Sequence, residues 1–513
     1  MPTALLQMSL KVVCEPPTGL QANVVRAYSH FTHEPWTQSP KPVEHHAILF
    51  VLCYFHAVVV ERSRFGPIGW SRKYPFSFED LLASADILQH YLEDRPRIVW
   101  EDLRFMLGEI MYGGHIVNAW DRRVCLAYLE EYLCQECIEE GVLPGIGLAL
   151  PTKRSHSETL AAVKENFAAL SNTEAPQCYL MSRSCEFRGW LVRSSELLDC
   201  LAQGMSASLA AAASVRSDVA SGPSTAAADS SSSSGGGDPR VTARLMDILS
   251  TLVQIVPEVL SVADIEARLD EDRSPMHQAL LQEISRSNRL AAVMRSSIED
   301  VEAVVRGFNV ATDTTQGLMD AFVFDRVPDS WLAIWGPTTK GLGAWSRTIV
   351  QCSGQLSSFA MDLQIPKAIG LHAVFRPSAI LAALMQEAAG RLGCDLECLD
   401  LVTEVVRKAT GKAVEIGARE GHFFFGASLE GAAWDLNSNS LCDSPAASTE
   451  LFPMPVLAIR AVSRARVDRS RSYACPVYRN LSRSRESFVV TLHLPTRVAQ
   501  RTWILKGVAL ILE

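Results

Sequence analysis

Apolar positions follow three successive patterns along this chain. From Ala47 to Val60 they run almost without interruption (AILFVLCYFHAVVV) and end on Glu61-Arg62-Ser63-Arg64. That run is shorter than the roughly 20 residues that span a bilayer, so it reads as a buried core helix with His56 as a satisfied core histidine. Around it, amphipathic spacing predicts helices over 44–62, 78–92, 100–111 and 123–138, separated by Phe65-Gly66-Pro67, Tyr74-Pro75 and Arg95-Pro96. Gly141, Pro144, Gly145 and Gly147 then stop regular structure.

The second pattern is helical and longer. Asp238-Pro239 offers an N-cap with Pro at the first helical position, followed by Val241, Leu245, Leu249, Leu252 and Val256. After Ser274-Pro275, Leu280, Ile284, Ser287, Ala291, Met294, Ile298, Val301, Val305 and Phe308 recur in alternating steps of four and three, with Gly307 as the terminator. This is expected to be a core-facing stripe packed within the chain, in preference to an intermolecular coiled coil.

Beyond Pro366 the period changes. Residues 422–425, 456–462, 487–494 and 503–512 are rich in β-branched and aromatic side chains, and Phe488, Val490, Leu492 and Leu494 alternate with Val489, Thr491 and His493. The simplest expectation is a small antiparallel barrel or sandwich, with 503–512 as a buried closing strand at a sheet edge. Between the halves, residues 205–238 are dominated by Ser and Ala and close on Ser230 to Ser234 and Gly235-Gly236-Gly237. Such a tract buries too little to offset its ordering entropy and is expected to be a flexible insertion.

Composition changes the picture little. Of 513 residues, 48% are hydrophobic and 20% charged, enough for two to four cores at roughly 150 residues per domain. With 48 Lys+Arg against 57 Asp+Glu the net charge is −9, which argues against nucleic acid as a partner. Thirteen cysteines, an odd number in a chain this long, suggest reduced thiols and no disulfide framework. Met1-Pro2-Thr3-Ala4-Leu5-Leu6-Gln7 has no basic n-region before an apolar run, so secretion is not expected, nor is a membrane partner.

The near matches to catalytic motifs are each incomplete. Gly411-Lys412 lacks the earlier glycine of a phosphate loop and is followed by Ala413, and Gly336-Pro337-Thr338-Thr339-Lys340-Gly341 places its lysine before the glycine, so both read as loops. Cys134-Gln135-Glu136-Cys137 is a single C-x-x-C, and His115 lacks the His-x-Glu of a zinc deaminase, so the thiols are expected to pack one turn apart on a helix. In Gly426-Ala427-Ser428-Leu429-Glu430, Glu430 stands where a serine-hydrolase elbow needs glycine. Catalytic, cofactor and metal residues are therefore expected to be none.

Several strings nevertheless carry a resemblance. They are Cys53-Tyr54-Phe55-His56-Ala57-Val58-Val59, Glu61-Arg62, Phe65-Gly66-Pro67-Ile68-Gly69-Trp70, the run from Phe105 to Ile116 (FMLGEIMYGGHI), and Trp120-Asp121-Arg122-Arg123. These closely resemble the helical lid of the sixth AAA+ module of dynein heavy chains, and Glu15 to Asn23 (EPPTGLQAN) resembles the segment before it. Downstream, Val327-Pro328-Asp329-Ser330-Trp331, Gly431-Ala432-Ala433-Trp434-Asp435, Pro453-Met454-Pro455-Val456, Tyr473 to Tyr478 (YACPVY) and Gly507 to Leu512 (GVALIL) resemble the dynein C-terminal domain in the same order. The wording from Glu109 to His115 and at Trp120-Asp121 looks axonemal. Over 141–206 the resemblance thins: Leu180 to Glu186 (LMSRSCE) stands where the family often has Leu-His-Pro-Asn-Ala-Glu.

The resemblance implies an α+β protein: an all-helical AAA+ lid, then a C-terminal domain of long helices with a β-rich, barrel-like end. It implies 1–43 as the end of the sixth module, 44–140 as the lid, 141–240 as a connector holding the Ser/Ala tract, and 241–513 as the C-terminal domain, helical over 241–325 and mixed then β-rich over 326–513. The implied function is that of a non-catalytic segment giving ring integrity and mechanical coupling in a minus-end-directed, ATP-driven microtubule motor of cilia and flagella. ATP and Mg would be bound in upstream modules and not here. Implied partners are the other AAA+ modules of the ring, and through the complex intermediate chains, light chains and microtubules, in cytoplasm, cytoskeleton and axoneme. Gly113-Gly114 would form a tight turn, and Tyr112 and Trp120 would be packing anchors. Two other classes compete: a stand-alone cytosolic scaffold whose 280–308 stripe docks a partner helix, and a hydrolase using Cys134, Cys137 or Ser428.

Overall fold

The apolar run at 47–60 is the spine of the first of two compact units, residues 1–186 with 504–506 and residues 187–503 with 507–513. The computed structural model describes residues 7–10, 17–31, 41–144, 147–150, 164–165, 167, 175–219, 239–269, 273–406, 417–444, 451–468 and 470–513.

In the first unit, α1 (Leu20–His30) packs on α2 (Pro42–Glu61), which is buried at every position from Ala47 to Val59. The stretch Pro42–Ile68 is long and apolar enough by composition to cross a membrane, yet its most apolar window is 78% buried within the protein, as a core helix requires. Next comes α3 (Phe78–Asp94), which starts at a Ser77/Asp80 capping box. Helix α4 (Trp100–Phe105) continues as a π-helical stretch, Met106–Met111. The helix expected over 123–138 is two: α5 (Ala119–Tyr132), capped by the Asn118 side chain, and α6 (Gln135–Glu140), because Cys134 is extended (φ −134, ψ 159) and breaks the ladder. Gly141 closes α6 in the left-handed region (φ 66), and β1 (Val142–Leu143) pairs with β2 (Leu148–Ala149).

The second unit is entered on α7 (Ser184–Val219), whose backbone stays helical through 205–219. This corrects the expectation of a flexible tract for that part: alanine has the highest helix propensity, so a segment can be poor in core-forming side chains and still helical. Residues 220–238 lie outside the described residues. Then follow α8 (Pro239–Ile255), α9 (Val262–Arg268), α10 (Pro275–Val305), α11 (Asp313–Val323), α12 (Asp329–Trp335) and α13 (Leu342–Asp362). Helix α10 starts at Ser274, whose hydroxyl accepts from the His277 N–H, and it packs against α8, α11, α12 and α13. Its buried side includes Leu280, Ile284, Ser287, Ala291, Met294, Ile298 and Val301, so most of the predicted stripe is consumed inside the unit. The last two positions differ. Val305 is half-buried and Phe308 is 76% exposed, because Gly307 (φ 79) turns the backbone out of the helix.

Nine strands form one curled sheet: β3 (Ala368–Gly370), β4 (Leu399–Val405), β5 (His422–Phe425), β6 (Ser428–Glu430), β9 (Phe452–Pro453), β10 (Leu457–Ser463), β11 (Ser472–Tyr478), β12 (Phe488–Pro495) and β13 (Ala509–Ile511). A separate pair, β7 (Ala433–Asp435) and β8 (Ser440–Cys442), forms a hairpin, and α14 (Pro377–Leu392) packs on β10, β12 and β4. The strand order is β3-β5-β10-β4-β12-β11-β13-β6-β9. Pairing is mixed and not antiparallel throughout as expected, since β3/β5, β4/β12 and β11/β13 are parallel. Residues 503–505 are not strand either: they belong to α15 (Gln500–Leu505), where the buried Trp503 donates its indole N–H to Thr496 Oγ1 at 2.7 Å. Strand β13 lies between β11 and β6, in the sheet interior and not at an edge.

Candidate functional site

The residues carrying the lid resemblance turn out to hold the first unit together. Gly19 adopts φ 102, and its N–H, with the Asn23 amide, donates to Glu61 Oε1 at 3.0 and 2.7 Å. Arg62, fully buried, donates to the Gly69 carbonyl at 2.8 Å and to the Tyr128 hydroxyl. Trp70 donates its indole N–H to the Val59 carbonyl at 2.9 Å. Asp121, 6% exposed, accepts from the Ser71 hydroxyl at 2.6 Å and the Tyr74 hydroxyl at 2.7 Å. Burial raises the Asp121 carboxyl from its usual range, and these hydrogen bonds to Ser71 and Tyr74 oppose the rise.

Gly113 and Gly114 are required by space and not by left-handed backbone. A Cβ would stand 2.3 Å from the Gly108 carbonyl oxygen at Gly113 and 2.8 Å from the Ile110 carbonyl oxygen at Gly114. Tyr112 is fully buried and its hydroxyl lies 3.0 Å from His56 Nδ1, while Trp120 is half-buried with the Arg123 guanidinium 4.5 Å from its ring centre. His56 is thus a bonded core histidine, and burial lowers its pKa to about 4. Its folded pKa lies below the unfolded value of about 6.5, so its contribution is full above pH 6.5 and fades as pH falls towards 4, up to about 3 kcal/mol. Melting temperature should therefore drop between pH 7 and 5, and His56→Gln, with an amide to meet Tyr112 and nothing to titrate, should flatten that slope. An unchanged slope would assign the pH dependence elsewhere.

The sequence candidates for chemistry are scattered. Cys134 and Cys137 do not share a helical face: Cys134 precedes α6 and donates to the Glu131 carbonyl at 3.5 Å, and buried Cys137 donates to the Val142 carbonyl at 3.6 Å. His115 Nε2 is 2.9 Å from Asp80 Oδ1. Ser428 opens β6, and Glu430, 3% exposed, is an ion-pair centre, with Arg483 Nη2 at 2.6 Å and Arg188 Nε at 3.0 Å. Gly411-Lys412 lies outside the described residues. Among the described residues, no group of three or more His, Cys, Asp or Glu could hold a metal ion. Two clefts of about 620 and 710 Å³ contain none of these candidates.

Two sites escaped the sequence reading. Glu283, fully buried on α10, accepts from Arg286 Nη1 at 2.9 Å, from the Arg376 N–H at 3.1 Å and from the Phe375 N–H. Burial raises its carboxyl above the usual range, against those bonds. The second is the rejected 336–341 loop, which cradles a carboxylate. Glu513 Oε1 accepts from the Thr338 hydroxyl (2.5 Å), the Thr339 N–H (2.6 Å) and the Lys340 N–H (3.0 Å). Its Oε2 accepts from the Thr339 hydroxyl (2.5 Å) and the Leu481 N–H (3.3 Å). Apart from the local Glu283–Arg286 pair, the partners lie 92 and 93 residues away in one site and 32 to 175 residues away in the other, beyond the reach of any local signal.

The two units also match known families in order. The model for the AAA lid domain of the dynein heavy chain matches residues 45–184, and the model for the C-terminal domain of the dynein heavy chain matches residues 209–512. The protein belongs to the dynein heavy chain family. The lid match runs on through 141–184, past the expected lid end at 140, and the C-terminal match begins on α7. The sequence is 33% identical over 519 residues to Dynein axonemal heavy chain 17 of Mus musculus, and 33% identical over 513 residues to Dynein beta chain, ciliary, of Heliocidaris crassispina. It is 32% identical over 530 residues to Dynein beta chain, flagellar outer arm, of Chlamydomonas reinhardtii. All of this chain aligns in each case, spanning 11% of the length of those dynein relatives.

Proposed function

We propose that this chain serves as the non-catalytic C-terminal segment of an axonemal dynein heavy chain, maintaining the motor ring and coupling its modules mechanically during microtubule-based movement in cilia or flagella. The observation that carries this reading is the ordered pair of matches, lid then C-terminal domain, in a sequence that aligns end to end with axonemal, ciliary and flagellar relatives. Packed helices and a mixed sheet suit rigid-body transmission, which needs no reacting groups. One face of α7 supports partners outside the chain: Trp190, Leu191, Leu197, Leu198 and Leu201 are each 41–65% exposed, a face suited to burial against another module of the ring. The scaffold alternative loses its docking surface, because the α10 stripe is buried within its own unit.

A tagged protein in ciliated cells should localise to the axoneme and co-purify with heavy-chain ATPase modules and with intermediate and light chains. Diffuse cytosolic signal without those partners would count against the proposal. The isolated protein should also fail to bind ATP, since it offers no glycine-rich amide cradle with the Lys and Ser/Thr that hold phosphate and magnesium. Calorimetry on pure protein checks this, and stoichiometric micromolar binding would revive the enzyme reading.

A further inference from the structure

The cleft of about 620 Å³ lies among α10, α11 and α12. Its lining on α11 follows one helical face, at positions 313, 317, 320, 321 and 324. The floor is apolar: Leu318 and Ala321 are half-buried, Phe324 is 36% exposed, and Val327 and Pro328 are buried beside them. The lining carries four carboxylates, Asp300, Asp313, Asp320 and Asp329, and one guanidinium, Arg326, an excess of three negative charges. Among the described residues, no lysine, arginine or histidine forms an ion pair with any of the four, and Asp320 accepts only from Gln316 Nε2, at 3.1 Å. Nor, among those residues, could any three acidic groups hold a metal ion, so several separate cationic groups are needed to answer them. The helices themselves explain half of this charge. Asp313 and Asp329 open α11 and α12, where the helix dipole favours a carboxylate, but Asp320 stands in the last turn of α11, where the dipole opposes one, and Asp300 stands far from the start of α10.

We propose that this cleft is a docking groove for a basic amphipathic helix of a partner protein, whose apolar side chains rest on Leu318, Ala321 and Phe324 and whose Lys or Arg side chains pair with Asp300, Asp313, Asp320 and Asp329. Charge and shape agree. An apolar floor edged by unpaired carboxylates complements a helix that is apolar on one face and cationic at its borders, and the walls are themselves helices, between which a further helix packs. Gly317 supports the same occupant. It lies inside α11 on the lining face, where glycine weakens a helix relative to alanine, yet an added Cβ would meet nothing within 4 Å. Packing within the chain does not require a glycine there, whereas a partner backbone brought close to α11 does. The groove shares no residue with the exposed face of α7, and its occupant need not belong to the ring.

The test uses the full 513-residue protein and a fluorescent helical peptide of about 14 residues, with leucine on one face and lysine on the other, followed by anisotropy. Binding should saturate at one peptide per protein and weaken as salt rises. Asp300→Asn with Asp320→Asn should weaken it about fivefold or more. Glu397→Gln with Glu486→Gln removes the same charge at exposed positions outside the cleft and should change affinity by less than about twofold. Gly317→Gln should keep or raise the melting temperature and, by filling the floor, weaken binding about fivefold or more. If that variant does not fold, the two charge pairs decide. Absence of binding, equal weakening by the two charge pairs, or full affinity in a folded Gly317→Gln protein overturns the groove. Displacement of the peptide by an equal concentration of spermine would make the occupant a small polycation and overturn its assignment to a helix.

Discussion

Deleting residues 508–513 should turn the second unit into an aggregating species. Strand β13 fills the gap between β11 and β6, pairing Leu510 with both Val477 and Leu429, and Ile511 with Tyr478 and Ser428. Val508, Ala509, Leu510, Ile511 and Leu512 are all at most 2% exposed. Four of the five are larger than alanine, and at about 1.5–3 kcal/mol for each large apolar side chain the lost burial exceeds roughly 5 kcal/mol, comparable to the whole stability of an ordinary domain. The deletion also removes the Val508 carbonyl that accepts from the Tyr473 hydroxyl at 2.7 Å, and it bares the ladders of β11 and β6 to other molecules. Size-exclusion chromatography with light scattering should show loss of the monomeric peak. In a complete heavy chain, the proposed role predicts that ATP hydrolysis remains measurable while microtubule gliding is lost. A soluble, folded truncation with unchanged gliding would refute both the structural and the functional expectation.

The second large effect is expected at Ile298. Its side chain is 2% exposed on the face of α10 that lies against the neighbouring helices, so Ile298→Asp places a carboxylate where no partner is available. The cost should be on the order of 3 kcal/mol or more, and the variant should melt well below the unmodified protein or fail to fold. Glu299, the next residue, is exposed, and Glu299→Ala should change stability by no more than about 0.5 kcal/mol. Similar melting temperatures for the two variants would show that the buried face of α10 has been misassigned.

These two positions illustrate what local pattern can and cannot reveal. Ile298 was legible because a helix brings positions three and four residues apart onto one face, so the buried stripe is written in a short window. The same holds for the core run at 47–60, for the Ser274-Pro275 start and for the turn at Gly307. The place of β13 was not legible, although its apolar character was. Five successive apolar residues say that a segment is buried, but not whether it closes an edge or is inserted between two strands. Its partners, β11 and β6, come from parts of the sequence about 30 and 80 residues away.

The polar sites divide along the same line. The strings that mark the family were readable as strings, but their work emerged only when Glu61 met Gly19 and Asn23, when Asp121 met Ser71 and Tyr74, and when the absent Cβ atoms at Gly113 and Gly114 met carbonyl oxygens. The 336–341 loop lacks a phosphate-loop spacing, yet its amides and hydroxyls cradle a carboxylate 173 to 175 residues away. Periodicity, capping and composition act over a few residues, so helices, core faces and family membership could be read from them. Strand order and the Glu283 and Glu513 carboxylate sites depend on which distant groups share a low-dielectric interior. There every buried donor and charge must find a partner, and only the folded protein assigns it.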